Sequence, residues 1–310
     1  MSQHLSPTYL SLAASGVLRA RVEEARARLA ACDLCPRECG VNRLQGELGY
    51  CRSGALAKVA SWNVHRGEEP PISGERGSGT ILFSNCTAHC LFCQNYPISQ
   101  LGVGQEVAAE RLAEMMLELQ GRGSHNINLV TPTHFVPQFL AALELAIPQG
   151  LRIPILYNTS GYDSVETLRL LEDVVDIYLP DAKYTDDEVA RRISGFKDYV
   201  PHNRAALLEM QRQVGSDLIL DEEGIARRGM IVRHLVLPHG LSQTPAVLRW
   251  IAENLSQRVH ISLMSQYFPA HKAVGDAELG QGLSPEEYDA ALAAFEEAGL
   301  ENGWQQPLGE

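Results

Sequence analysis

Seven cysteines fall into two groups with none left over: Cys32, Cys35, Cys39 and Cys51, then Cys86, Cys90 and Cys93. The number is odd, and grouped cysteines in a reducing compartment more often bind metal or do redox chemistry than form disulfides. In the second group, NCTAHCLFCQN from Asn85, three thiols lie within eight residues. Three soft sulfur ligands at that spacing can wrap one corner of a cubane iron–sulfur cluster and leave one iron open. An open coordination position separates a reactive metal site from a closed structural one. The alternatives are a partial zinc site, which would more often show paired knuckles and a fourth ligand, and reduced cysteines that only pack.

The first group reads as a closed four-thiolate site. Gly40, Gly46 and Gly49 stand beside its members, and glycine lets the backbone turn tightly around a metal. Four ligands suit tetrahedral zinc or a second, fully ligated iron–sulfur cluster, and spacing does not choose between them. Unmetallated thiols are the remaining alternative.

Elements that could position these groups follow from Gly79 onward. Short β-branched or apolar runs at residues 80–84, 127–131, 153–158, 175–179, 230–237 and 259–264 alternate with helical patterns. Six such runs predict parallel βα units. A doubly wound sheet would need a glycine-rich nucleotide fingerprint after its first strand, and a cysteine loop stands there instead. The predicted fold is therefore α/β, a partial (β/α)6 barrel with a small N-terminal cysteine-rich module. That fold puts the three-cysteine loop at the C-terminal end of the first barrel strand, the catalytic face of such barrels. The polar, glycine- and proline-rich stretch 66–79 marks the boundary. The predicted units are 1–75 (N-terminal helix and four-cysteine module), 76–275 (barrel) and 276–310 (C-terminal helical extension).

Helix starts are legible as well. Ser6-Pro7 opens an N-terminal helix with Leu10, Val17, Leu18 and Leu29 facing inward. Asp163 stands three residues before Glu166 in a capping pattern. Thr185 precedes three acidic residues that favour a helix N-terminus. Ser284-Pro285-Glu286-Glu287 opens a C-terminal helix, and residues 107–119 carry apolar residues at helical spacing.

The chain has 310 residues, 45% of them hydrophobic, enough for one large core. Its formal net charge of −12 makes it a poor candidate for nucleic-acid binding. No apolar run approaches the ~18 residues of a membrane span, and the N-terminus lacks the compact apolar segment of a signal peptide. These features predict a cytoplasmic protein with neither nucleic acid nor membrane as partner.

The pattern C-x3-C-x2-C, with Phe92 before the last cysteine, resembles the signature of the radical S-adenosylmethionine (SAM) superfamily. The wider run 77–99, GSGTILFSNCTAHCLFCQNYPIS, resembles the pyruvate formate-lyase activating enzyme-like proteins of the PflX type. So do YNTSGYDS from Tyr157, DIYLPDAKY from Asp176 and RHLVLPHG from Arg233. The likeness covers residues 32–272 and includes the C-x2-C-P-R-x-C layout of the first cysteine group. It implies a [4Fe–4S] cluster on Cys86, Cys90 and Cys93, with SAM chelating the open iron. It further implies reductive cleavage of SAM to a 5′-deoxyadenosyl radical that takes a hydrogen atom from a substrate. An electron donor such as flavodoxin or ferredoxin is then expected. In an activase-like reaction the partner is a glycyl radical enzyme, whose backbone glycine is the substrate. A small-metabolite substrate is the enzymatic alternative. A non-catalytic iron–sulfur electron carrier or metal-binding partner protein is the alternative of another class.

The remaining strand ends supply candidate cofactor contacts. The second ends Thr131, Pro132, Thr133, His134, where relatives often carry a Gly-Gly-Glu segment that binds the cofactor's amino group. That segment is absent here, and Thr131, Thr133 and His134 are the substitutes on offer, with a plain strand terminus as the alternative. Asn158 and Ser160 end the third, as ligand contacts or ordinary turn residues. Asp181 and Lys183 end the fourth and resemble the D-x-K segment of activating enzymes; two residues apart on a strand, they point the same way. Arg233, inside the fifth apolar run, is costly unless paired, so a carboxylate partner is expected from the cofactor or from an internal Asp or Glu. His65, Glu68 and Glu69 either fold over the barrel mouth or form a solvated linker.

Overall fold

A computed structural model describes residues 6–309. Ten strands are present among them: β1 Ala57–His65, β2 Ser78–Phe83, β3 Gln105–Val107, β4 Ile127–Val130, β5 Ile155–Thr159, β6 Ile177–Pro180, β7 Ile219–Leu220, β8 Ala226–Leu235, β9 His260–Met264 and β10 Asn302–Gln305. The sheet runs in the order β10-β9-β8-β6-β5-β4-β2-β1-β3. Every pairing from β2 through β10 along that path is parallel. The six runs expected from sequence are β2, β4, β5, β6, β8 and β9, in chain order, and the fold is the predicted open α/β partial barrel.

Four strands escaped the sequence reading: β1, β10 and the short β3 and β7, which pair antiparallel with β1 and β8. β1, from within residues 1–75, pairs antiparallel with β2 and so extends the main sheet. β10 adds a seventh parallel strand beside β9. Its sequence, NGWQ, has no apolar run because only alternate residues are covered. Gly303 is needed there: a Cβ would stand 2.0 Å from the Ile261 carbonyl oxygen.

Alternation along the strands separates two faces. Ile81, Phe83, Ile127, Leu129, Ile155, Met230, Val232 and Ile261 pack outward into the main core with the helices. Leu156, Ile177, Leu179 and Ile231 face inward and cluster with Ile72 from the short buried helix Pro70–Ser73. Asn126 ties that helix in place by donating to the Ile72 carbonyl at 2.9 Å. By the same alternation Thr80, Asn128, Asn158, Asp181, Arg233 and Ser262 belong to the inner face.

Some helix boundaries differ from the sequence reading. The N-terminal helix is split into Tyr9–Ser15 and Val17–Ala27 by Gly16 at φ +79°. Leu18 and Leu29 are buried as expected, but Val17 is exposed. Ser6-Pro7 does not cap it. The N-cap position is Thr8, whose amide and hydroxyl both donate to Asp176. Asp163 is not a cap either: Ser164 accepts from the Thr167 amide, and Asp163 is buried. At the next helix Asp186, not Thr185, caps. Ser284 and Glu287 form the expected capping box.

Candidate active site

Protein contacts shape the loop after β2. Asn85 opens it at φ +69°, a left-handed turn that asparagine tolerates, and its side chain donates to the Arg52 carbonyl and the Ser53 hydroxyl, both at 3.1 Å. His89 and Leu91 amides donate to the Ser194 and Ile193 carbonyls at 2.9 Å. Phe92 is buried edge-to-face on Tyr267. Cys86 Sγ accepts from the Ala88 amide at 3.4 Å, and Cys93 Sγ lies 3.2 Å from the Ser99 hydroxyl. Burial pushes the Cys86 thiol up to about 12 and the Cys90 thiol up to about 11. Lys183 acts in the opposite direction on both. Such thiols stay protonated until a metal displaces the proton.

These residues fit an iron–sulfur cluster. Among the described residues no three His, Cys, Asp or Glu side chains converge on a single ion. A cubane makes no such demand, since each thiolate binds a different iron. The donors are soft, half-buried and close enough to act on one another electrostatically.

Asp181 and Lys183 come together with this loop. They form an ion pair at 2.5 Å, both largely buried. Burial opposes the Lys183 charge, but Asp181 and then Cys90 outweigh it and hold the ammonium's pKa above its ordinary value. Arg233 lies level with Asp181, bridged to it through the backbone. Its expected carboxylate partner is internal and double. Nε and Nη2 bind the two Glu69 oxygens, each at 2.7 Å, and Nη2 also meets Glu68. Glu68 and Glu69 therefore neither cover the barrel mouth nor form a solvated linker. They reach into the interior from the Pro70–Ser73 helix, because that is where a buried guanidinium needs charge. His65, by contrast, is exposed.

The other strand-end candidates separate. Asn158 and Ser160 sit at the inner end of β5, each less than a tenth exposed, and the Ser160 hydroxyl has no partner. Thr131 is half-buried. Thr133 is wholly buried, and its hydroxyl is spent on Asp163 at 2.8 Å and Thr159 at 3.1 Å. His134 is buried, with Nε2 3.0 Å from the Ser84 carbonyl. Burial pushes its pKa down to about 4, so the ring is neutral and Nε2 is the donor. Thr133 is thus committed within the protein, whereas the His134 Nδ1 atom has no partner.

Cys32, Cys35, Cys39 and Cys51 line one enclosed pocket together with Arg37, Arg43 and His134. Turns hold them: the Cys32 amide donates to the Val41 carbonyl, and the Gly40 amide donates back to Cys32. A Cβ at Gly49 would stand 2.8 Å from Cys39 Sγ, so only glycine fits. Burial raises the Cys35 thiol, with some relief from a backbone hydrogen bond and further upward pressure from the other three thiols. The other three thiols thus act on Cys35, although among the described residues no three of the four converge on a single ion.

Two residues that the sequence did not single out, Arg37 and Tyr50, connect this module to the three-cysteine loop, and a third, Arg43, is buried beside the module. Arg37 donates to the Thr87 carbonyl at 2.9 Å and the Gly195 carbonyl at 2.5 Å. It also lies over the Tyr50 ring, 3.6 Å from the centroid. Tyr50 stacks on His89 with centroids 4.4 Å apart. Arg43, 1% exposed, donates to the Gly54 and His134 carbonyls and approaches Cys32 Sγ at 3.9 Å. The available signal was position alone: Arg37 and Tyr50 stand between or beside module cysteines.

Residues 80–221 match the family model of the Radical SAM superfamily. The chain is also 31% identical over 291 residues to the uncharacterized protein MJ0674 of Methanocaldococcus jannaschii, covering 92% of this chain and 80% of that protein. Among solved structures it resembles HydG, a maturase of the [FeFe]-hydrogenase, at TM-score 0.50 and 12% identity, over 76% of this chain and 53% of that one. It is also similar to methylornithine synthase (PylB), at TM-score 0.44 and 17% identity over 74% and 71% of the two chains. The chain belongs to the radical SAM superfamily. It is an enzyme of that class, for which a [4Fe–4S] cluster and SAM are the implied cofactors. No helix among the described residues is long and apolar enough to cross a membrane.

Proposed function

We propose that Cys86, Cys90 and Cys93 hold the [4Fe–4S] cluster and that the enzyme abstracts a hydrogen atom from a small-molecule substrate. The observation that carries this is the half-buried three-thiol loop at the end of the first barrel strand, with the Asp181–Lys183 pair close enough to act on two of its thiols. When bound, cluster and SAM supply one-electron cleavage to methionine and a 5′-deoxyadenosyl radical. The protein's own groups shape the surroundings. Lys183 offsets the negative charge of the thiolates, Asp181 holds Lys183 in place, and the inner end of β5 offers Asn158 and Ser160 as polar contacts. A carrier such as flavodoxin or ferredoxin is the proposed electron source.

A backbone glycine of a partner enzyme is the other substrate class, as in the activating enzymes that the PflX-type motifs resemble. A peptide loop needs an open groove. The four-cysteine module instead packs against the cluster loop through Arg37, Tyr50 and His89, which favours a small ligand. That module is proposed to be metallated. A buried guanidinium is costly without a counter-charge, and a metal-bound Cys32 thiolate, whose sulfur Arg43 approaches at 3.9 Å, would provide one.

Anaerobic reconstitution, reduction and addition of SAM test the reading. 5′-Deoxyadenosine and methionine are expected from the wild type and absent from Cys90→Ala. No cleavage by a fully loaded, reducible wild-type cluster refutes it. Metal and sulfide analysis of a Cys32/Cys35 double variant identifies the second site: zinc lost with iron unchanged means zinc, and iron and sulfide lost together mean a cluster.

A further inference from the structure

We infer that the barrel interior beside Arg233 is a seat for a cationic substrate group, a protonated amine, held by Glu68 and Asn128. The inference rests on the hydrogen-abstraction reading and names its substrate class.

Charge is the first observation. Glu69 engages Arg233 through both oxygens, at 2.7 Å each. It is buried, and the guanidinium keeps its carboxyl ionised, below the usual range, against the opposing effect of burial. That fork-to-fork pair is complete. Glu68 adds a second carboxylate to the same guanidinium. Close by, Asp181 and Lys183 cancel each other. One guanidinium against two carboxylates leaves the interior one negative charge in excess.

The second observation is independent of charge. Asn128 is completely buried on the inner face of β4. Its amide nitrogen donates to Glu68 Oε1 at 2.8 Å, while its Oδ1 has no partner. An orphaned buried acceptor is costly and implies a missing donor. An ammonium carries three N–H donors and one positive charge, so it would satisfy the Asn128 oxygen and the excess carboxylate together. A substrate carboxylate would meet like charge from Glu68, which the one remaining Asn128 N–H does not offset. Contacts also link the seat to the cysteine loop. Arg233 is bridged to Asp181, which binds Lys183, which acts on Cys86 and Cys90.

The competing role for Glu68 is to pin the Pro70–Ser73 helix. Its amide already donates to the Ser73 hydroxyl at 3.0 Å, independently of its side chain. The isosteric Glu68→Gln variant therefore separates the two roles.

The test uses the full, anaerobically reconstituted chain with n-butylammonium chloride, sodium butyrate or n-butanol at matched ionic strength, followed by thermal unfolding. Butylammonium near saturation should raise the midpoint by about 2 °C, and the other two should not. Glu68→Gln should lose that shift while remaining at least as stable as wild type without probe. Glu69→Gln should be less stable. Asn128→Leu, if it folds, should also lose the shift. Three results overturn the seat: no shift with any probe, an equal shift with butyrate, or a full shift retained in Glu68→Gln. 5′-Deoxyadenosine formation by the wild type is read separately. A butylammonium shift without SAM cleavage counts against the radical reading, and cleavage without the shift counts against the seat.

Discussion

Replacing Arg43 by methionine removes a cation that is 1% exposed and whose hydrogen-bond partners are two backbone carbonyls and a thiol. Four thiolates with either Zn²⁺ or [4Fe–4S]²⁺ carry a net charge of −2, whereas four protonated thiols carry none. At the 3.9 Å separation from Cys32 Sγ, with an effective dielectric of about 20, each unit of charge is worth about 4 kcal/mol. The site's charge is spread over more distant atoms, so a coupling of about 2–4 kcal/mol is a fairer figure. Metal affinity in Arg43→Met should then fall by about 30- to 1,000-fold. Losing the donor to the Gly54 and His134 carbonyls adds about 1–3 kcal/mol of destabilisation for each, with or without metal. Chelator competition measures the first quantity, and denaturation of loaded and stripped protein measures the second. Affinity unchanged within about threefold would refute the claim that Arg43 balances an anionic centre.

Other expectations follow from the same structure. Because burial holds the Cys86 and Cys90 thiols near 12 and 11, cluster assembly must expel protons, and its extent at fixed iron and sulfide should rise with pH below those values. His134 and His234 are both pushed down to about 4 by burial. The unfolded chain takes up their protons from about pH 6.5, so stability should fall as pH drops from 6.5 to 4, by up to about 3 kcal/mol per ring. His234→Gln should flatten that dependence in denaturant titrations; an unchanged slope would show that its environment does not exclude the proton. Lys183→Met strands Asp181 and should cost about 2–3 kcal/mol, with much of it restored in the Asp181→Asn/Lys183→Met double variant. Gly49→Ala drives a methyl into Cys39 and should strip metal from the first module while leaving the Cys86 cluster's absorbance intact.

Several features were legible in the chain itself. Cysteine chemistry is local: three thiols in eight residues are close in any fold, and so are the turns of the first module. The six main strands were legible because each is an apolar run buried on its outer face. β10 was not, since an edge strand covered on alternate residues leaves no such run. The Ser284 capping box was readable because its partners lie three residues apart.

Tertiary structure decided which polar groups are committed to the protein and which remain available. Thr133 and His134 looked available at a strand end, yet Asp163 and Ser84, 30 and 50 residues away, engage them. The pairing of Arg233 with Glu68 and Glu69 spans more than 160 residues, and the contacts of Arg37 with Thr87 and Gly195 join the two cysteine groups. Sequence thus pointed to metal-binding chemistry, because ligand spacing is short-range. Only the folded chain decided the charge and access around it, because a buried ion takes its partners from whichever strands the barrel brings alongside.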